Sequence, residues 1–113
     1  MAMDVSFVEF EAFTKKVAQI AEDETLRDFQ NELAANPESG DIIPGSGGLR
    51  KARFKLEARG RSQGARVIYL WLPKTQTIIL FTLYTKAEQT NISSATLKIL
   101  KDVVETIKSQ YTP

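Results

Sequence analysis

The sequence predicts a compact α+β domain, and three observations carry that expectation. Apolar residues recur at helical spacing in three stretches, two before residue 36 and one after residue 92. Between them lie extended segments rich in Val, Ile, Leu, Phe and Tyr, separated by turns bearing glycine or proline. The length of 113 residues and the 42% hydrophobic fraction suit one core able to fold without staples. The expected order is β-α-α-β-β-β-α within one domain over residues 1–113. Two N-terminal helices and a C-terminal helix pack on a small, mainly antiparallel sheet of three consecutive hairpin-linked strands.

Each element has its own reason. VSFVEF alternates Val5, Phe7 and Glu9 against Ser6, Val8 and Phe10, and reads as a first strand. EAFTKKVAQIA places Phe13, Val17 and Ile20 on one helical stripe. A second helix runs from Asp23, an expected N-cap, to Ala35, with Leu26, Phe29 and Leu33 as its apolar stripe. It stops at NPESG because Pro37 cannot continue a helix and disfavours helical geometry at Asn36. Asp41 to Gly48 (DIIPGSGG) reads as a loop whose glycines allow positive φ and close approach to a neighbour. It lacks the Lys-Ser/Thr ending of a nucleotide-binding loop.

Leu49 to Ala58 follows as a strand. Lys51, Arg53 and Lys55 share one of its faces, and Ala52, Phe54 and Leu56 the other. A sheet with one apolar face toward helices and one cationic face toward solvent accounts for both sets. GRSQG, Gly60 to Gly64, is a polar hairpin connection. ARVIYLWL is apolar on both faces, as a central strand is, with Arg66 as the one charge at its head. Tyr69 and Trp71, between aliphatic residues, read as core. After PKTQ, the strand TIILFTLYTK ends in Tyr84 and Lys86. Ser93 to Gln110 is an amphipathic helix with a serine start, its stripe formed by Leu97, Leu100, Val104 and Ile107 and extended by Tyr111.

Composition removes several kinds of chemistry. Cysteine and histidine are both absent, so thiol nucleophiles, disulfides and Ser-His-Asp or paired-histidine catalysis are excluded, and no metal or other cofactor is expected. No apolar run approaches the length of a membrane span and no secretory signal opens the chain, so the cytoplasm is the expected compartment and a membrane is not an expected partner. Charge is distributed unevenly. Between Leu49 and Arg66 stand Arg50, Lys51, Arg53, Lys55, Arg59, Arg61 and Arg66 against Glu57 alone, a balance of +6 in a chain of net +1. The rest therefore carries −5. One surface is suited to a polyanion.

The run GDIIPGSGGLRKARF, then GARVIYLW, then LYTKAE, resembles the RelE/HigB-type toxins of bacterial toxin–antitoxin modules. The resemblance is to the HigB-like branch, with its G-x-GG-(L/I)-RK-x-R loop-strand, an arginine heading the next strand and a Y-x-K-x-E ending. It covers about Leu26 to Lys108. It implies a RelE-like fold and a ribosome-dependent mRNA endonuclease. It also implies a cognate antitoxin with a helix-turn-helix DNA-binding domain, through which alone the protein meets operator DNA.

Cleaving RNA by its own 2′-hydroxyl requires deprotonating that hydroxyl, neutralising the phosphorane and protonating the leaving 5′-oxygen. Fixed cations supply the second requirement, and a cation cluster lowers a lysine's pKa toward use as a base. Lys51 and Arg53, on the exposed face of the basic strand, are expected to bracket the scissile phosphate, with Lys51 as base. Arg66 matches the family arginine that holds the phosphate, and its guanidinium binds two oxygens at once. Lys86 is expected to stabilise charge or protonate the leaving oxygen. Tyr84 stacks on a base, bonds the backbone, or is a half-buried aromatic at a strand end. Arg50, Lys55, Arg59 and Arg61 are assigned to RNA binding as steering or merely solvated charges. The parity of Arg50 is that of the apolar face. Glu88 reads as a salt-bridge partner of the cations, with a role as base the alternative. Ala87 departs from members with an arginine after this lysine, and no tyrosine follows in Asn91–Ser94, so the proton donor is left open. The alternative is a non-catalytic RNA- or antitoxin-binding module acting in operon autoregulation.

Overall fold

The computed structural model describes residues 4–56, 64–85 and 93–111. Its first strand, β1 (Ser6–Glu9), is followed by α1 (Glu11–Ile20) and α2 (Asp23–Ala35). α1 buries Phe13 and Val17, and α2 buries Phe29 and Leu33, as their periodicity requires. Asp23 is the first helical residue rather than the cap. No side chain caps this helix, and Asp23 and Glu24 instead place negative charge in its first turn, where the helix dipole favours it.

The expected loop at 41–48 contains a short strand, β2 (Asp41–Ile42). It pairs antiparallel with the start of β3 (Arg50–Phe54), Asp41 opposite Lys51 and Ile42 opposite Arg50. β3 is shorter than the expected Leu49–Ala58, and residues 57–63 lie outside the described residues. β4 (Ala65–Leu72) and β5 (Thr77–Thr85) complete the antiparallel meander, and β1 adds parallel to β5. The sheet order is β1-β5-β4-β3-β2, which makes β4 central, as its two apolar faces predict. α3 (Ser94–Tyr111) is the last described element. Ser93 caps it: its Oγ accepts the Thr96 N–H at 3.1 Å.

Both faces of the sheet carry helices, which corrects the expectation of one wholly solvated cationic face. Against α1 and α2 lie Ala52, Phe54, Ala65, Val67, Tyr69, Ile78, Leu80 and Leu83. Against α3 lie Leu49, Ile68, Leu70, Leu72, Ile79 and Phe81, with Val104 and Ile107 of the helix buried upon them. Burying side chains of this kind contributes about 1.5–3 kcal/mol each.

The GSGG segment seats α3. Gly47 and Gly48 have φ of +83° and +120°, and a Cβ on Gly47 would lie 3.3 Å from a Val104 methyl. The Gly47 carbonyl accepts a hydrogen bond from Lys108 Nζ at 2.6 Å. Ser46, fully buried, holds the turn by donating to the Ile43 carbonyl at 2.6 Å and accepting the Leu49 N–H at 2.9 Å.

Candidate nucleic-acid interface

The α3-bearing face divides along the strands. Where the loop and α3 meet the sheet, the residues are Leu49, Leu70 and Ile79. Toward the other end of β3 they become cationic. Arg53 is directly opposite Arg66, and Arg66 is directly opposite Tyr84. One step nearer α3, Lys51 is opposite Ile68, and Ile68 is opposite Thr82. Directly opposed residues share a face, with Cβ atoms about 4.5–5.5 Å apart. The register therefore brings Lys51, Arg53, Arg66 and Tyr84 together from three strands.

Tyr84 reaches this face through an irregularity. Ile78 and Leu80 point to the α1/α2 core, and strict alternation would send residues 82 and 84 after them. The register shifts between Ile68 and Tyr69: Ile68 pairs with Thr82 but Tyr69 with Leu80, which leaves Phe81 as an extra residue. Such a bulge resets the alternation. Leu83 then joins the α1/α2 core, while Tyr84 packs at the margin of the α3 core beside Arg66.

Lys51 and Arg53 are exposed and Arg66 is half-buried. None of the three has an ion pair or side-chain hydrogen bond among the described residues, whereas Lys15 pairs with Glu11 and Arg50 with Glu38. Like charges directly opposed across strands are destabilising, on the scale of a few tenths to about 1 kcal/mol. An arginine pair with no carboxylate beside it among the described residues has N–H donors that can take up an anion.

The other expected residues lie elsewhere. Arg50 turns to the opposite parity, and its guanidinium donates to the carbonyls of Glu38 at 3.0 Å and Gly40 at 2.8 Å. Its side chain is 18% exposed and also faces Glu38 at 3.9 Å. Arg50 thus fastens the segment between α2 and β3. Tyr69 helps to fasten it. Fully buried, its hydroxyl accepts the Gly40 N–H at 3.0 Å and donates to the Pro37 carbonyl at 2.7 Å. Burial pushes its phenol pKa up from the ordinary value. Lys55, beyond the end of β3, lines a groove of about 280 Å³ against Thr25, Asp28, Asn31 and Glu32 of α2, apart from the arginine row. Arg59, Arg61, Lys86, Ala87 and Glu88 lie outside the described residues.

The sequence pattern passed over Thr82. The bulge places it on the cationic face, half-buried and in line with Lys51. Strand alternation alone assigns it to the α1/α2 side, so no local signal marks it.

No family model matches the sequence. Solved structures do. The chain is similar to RelE in the archaeal RelE–RelB complex from Pyrococcus horikoshii OT3, at 21% identity and a TM-score of 0.51, over 77% of this chain and all of that one. It is also similar to the Escherichia coli toxin RelE in the free state, a variant with two arginines replaced by alanine. That match has 14% identity and a TM-score of 0.58, over 90% of this chain and 98% of that one. The chain has the RelE-like fold.

Proposed function

We propose that this chain is the toxin of a RelE-type toxin–antitoxin module, in the HigB-like branch that its loop–strand motif resembles. It acts as a metal-independent endonuclease on mRNA at the ribosome. The observation that carries the reading is the row of Arg53 and Arg66, without an ion pair among the described residues, with Lys51 and Tyr84 beside it on a RelE-like sheet.

In this reading the two guanidiniums grip the non-bridging oxygens of one phosphate, each able to donate two parallel hydrogen bonds. Lys51 removes the proton from the adjacent 2′-hydroxyl. The 2′-oxygen then attacks phosphorus, and the phosphorane charge is held by Arg53 and Arg66. The P–O5′ bond breaks, the 5′-oxygen takes up a proton from Lys86 or water, and a 2′,3′-cyclic phosphate and a 5′-hydroxyl result. Tyr84 gives a ring on which a base adjoining the phosphate stacks. A neutralising antitoxin with a helix-turn-helix domain is the proposed partner, supported by the complexed state of the Pyrococcus RelE. Operator DNA is met only through it.

Induced expression without an antitoxin tests the proposal. Growth should arrest, with transcripts ending in 2′,3′-cyclic phosphates within translated codons. Unimpeded growth with intact transcripts overturns it. Salt-sensitive RNA binding without cyclic phosphate ends would establish the non-catalytic module instead.

A further inference from the structure

The bulge at Phe81 brings a second polar group to the cationic face, and no other described residue engages it. Thr82 sits in register with Ile68 and, across it, Lys51. It is two residues from Tyr84 on the same strand, or about 6.6–6.8 Å. From Arg66 it is one diagonal step, about 7–8 Å. Its hydroxyl has no hydrogen bond among the described residues. Every buried side-chain polar atom among those residues is bonded, so the Thr82 hydroxyl is one that solvent or a ligand reaches. Its neighbours Ile68 and Phe81 are buried, which fixes the β-branched side chain in place.

We propose that Thr82 is a further RNA contact of this site, its hydroxyl hydrogen-bonding the sugar–phosphate backbone of the strand gripped by Arg53 and Arg66. The assignment rests on the function proposed above and extends it. The arginines supply charge, which draws any polyanion. A hydroxyl held on a rigid strand adds direction, because it either donates to a phosphate oxygen or exchanges a hydrogen bond with a ribose hydroxyl. A hydroxyl beside an arginine row, neither with a partner among the described residues, is the juxtaposition that identifies it.

The test measures binding of a fluorescein-labelled single-stranded RNA 12-mer at low salt to wild type, Thr82→Val, Thr82→Ser and Arg66→Ala. Thr82→Val should weaken binding by about 10-fold, the scale of one hydrogen bond to a charged group. Thr82→Ser, which keeps the hydroxyl, should stay within about 2-fold of wild type on the same scale. If Thr82→Val binds as wild type while Arg66→Ala is weakened, the Thr82 contact is overturned and the RNA-site reading stands. If Thr82→Ser falls as far as Thr82→Val, the effect is one of packing and the contact is again overturned. If Arg66→Ala also binds as wild type, both readings fall together.

Discussion

One face of one sheet has two ends built on opposite principles. At the end beneath α3, Leu49, Leu70 and Ile79 are sealed by Val104 and Ile107, and all of them contribute to the core. A few residues along the same strands, Arg53 faces Arg66 with no described carboxylate to offset them. The first end is optimised for stability. The second gives stability away. At the cationic end β3 and β4 pair in regular register, so the cost there comes from the side chains, and in the function proposed above an anionic ligand offsets it.

Substitutions should separate the two ends, and the largest effect is expected in the cationic row. Arg66→Ala should lower RNA cleavage by about 100- to 1,000-fold, the scale for losing one preorganised charge-stabilising donor. Its melting temperature should equal or exceed that of wild type, since an unfavourable pair is relieved. A melting temperature that falls with activity would make Arg66 structural. At the sealed end, Leu70→Ala should cost about 2–5 kcal/mol in denaturant unfolding, because it opens a cavity under α3.

Tyr69→Phe should cost about 1–3 kcal/mol, as it strips the Gly40 N–H and Pro37 carbonyl of their partner. The same phenol gives an alkaline signature. Its folded pKa is raised, so its contribution is complete below the unfolded value of about 10 and is lost as pH rises through the folded one. Thermal unfolding of wild type should therefore weaken in that alkaline range, and Tyr69→Phe should lose that part of the slope. The smallest effect is expected from Arg53→Gln, a gain of a few tenths of a kcal/mol in unfolding free energy with RNA affinity reduced. A loss of stability there would remove the like-charge argument.

Much of the scaffold was legible in the sequence because it follows from local periodicity. The stripes of α1 and α2, the alternation of β3, the doubly apolar β4 and the Ser93 cap all depend on residues within one element. What could not be read depends on partners distant in sequence. Asp41–Ile42 is a strand only because Arg50 and Lys51 pair with it. Arg50 has the composition of a steering charge, yet carbonyls fixed by the path of the chain after α2 claim it. In the candidate site, Lys51, Arg53 and Arg66 fall together by simple alternation. Tyr84 and Thr82 fall there only through the shifted register at Phe81, which no local pattern encodes.

The parallel pairing of β1 with β5 has a kinetic consequence. Ser6 meets Thr77, so this contact closes a loop of about 70 residues and belongs late in folding. During synthesis at roughly 5–20 residues per second, β1 waits several seconds for its partner strand to be made. Phe10, which stacks on Phe81 with ring centroids 4.5 Å apart, waits with it. The β1 edge is thus completed only after β5 has been made, and a nascent chain carries an unfinished sheet until then.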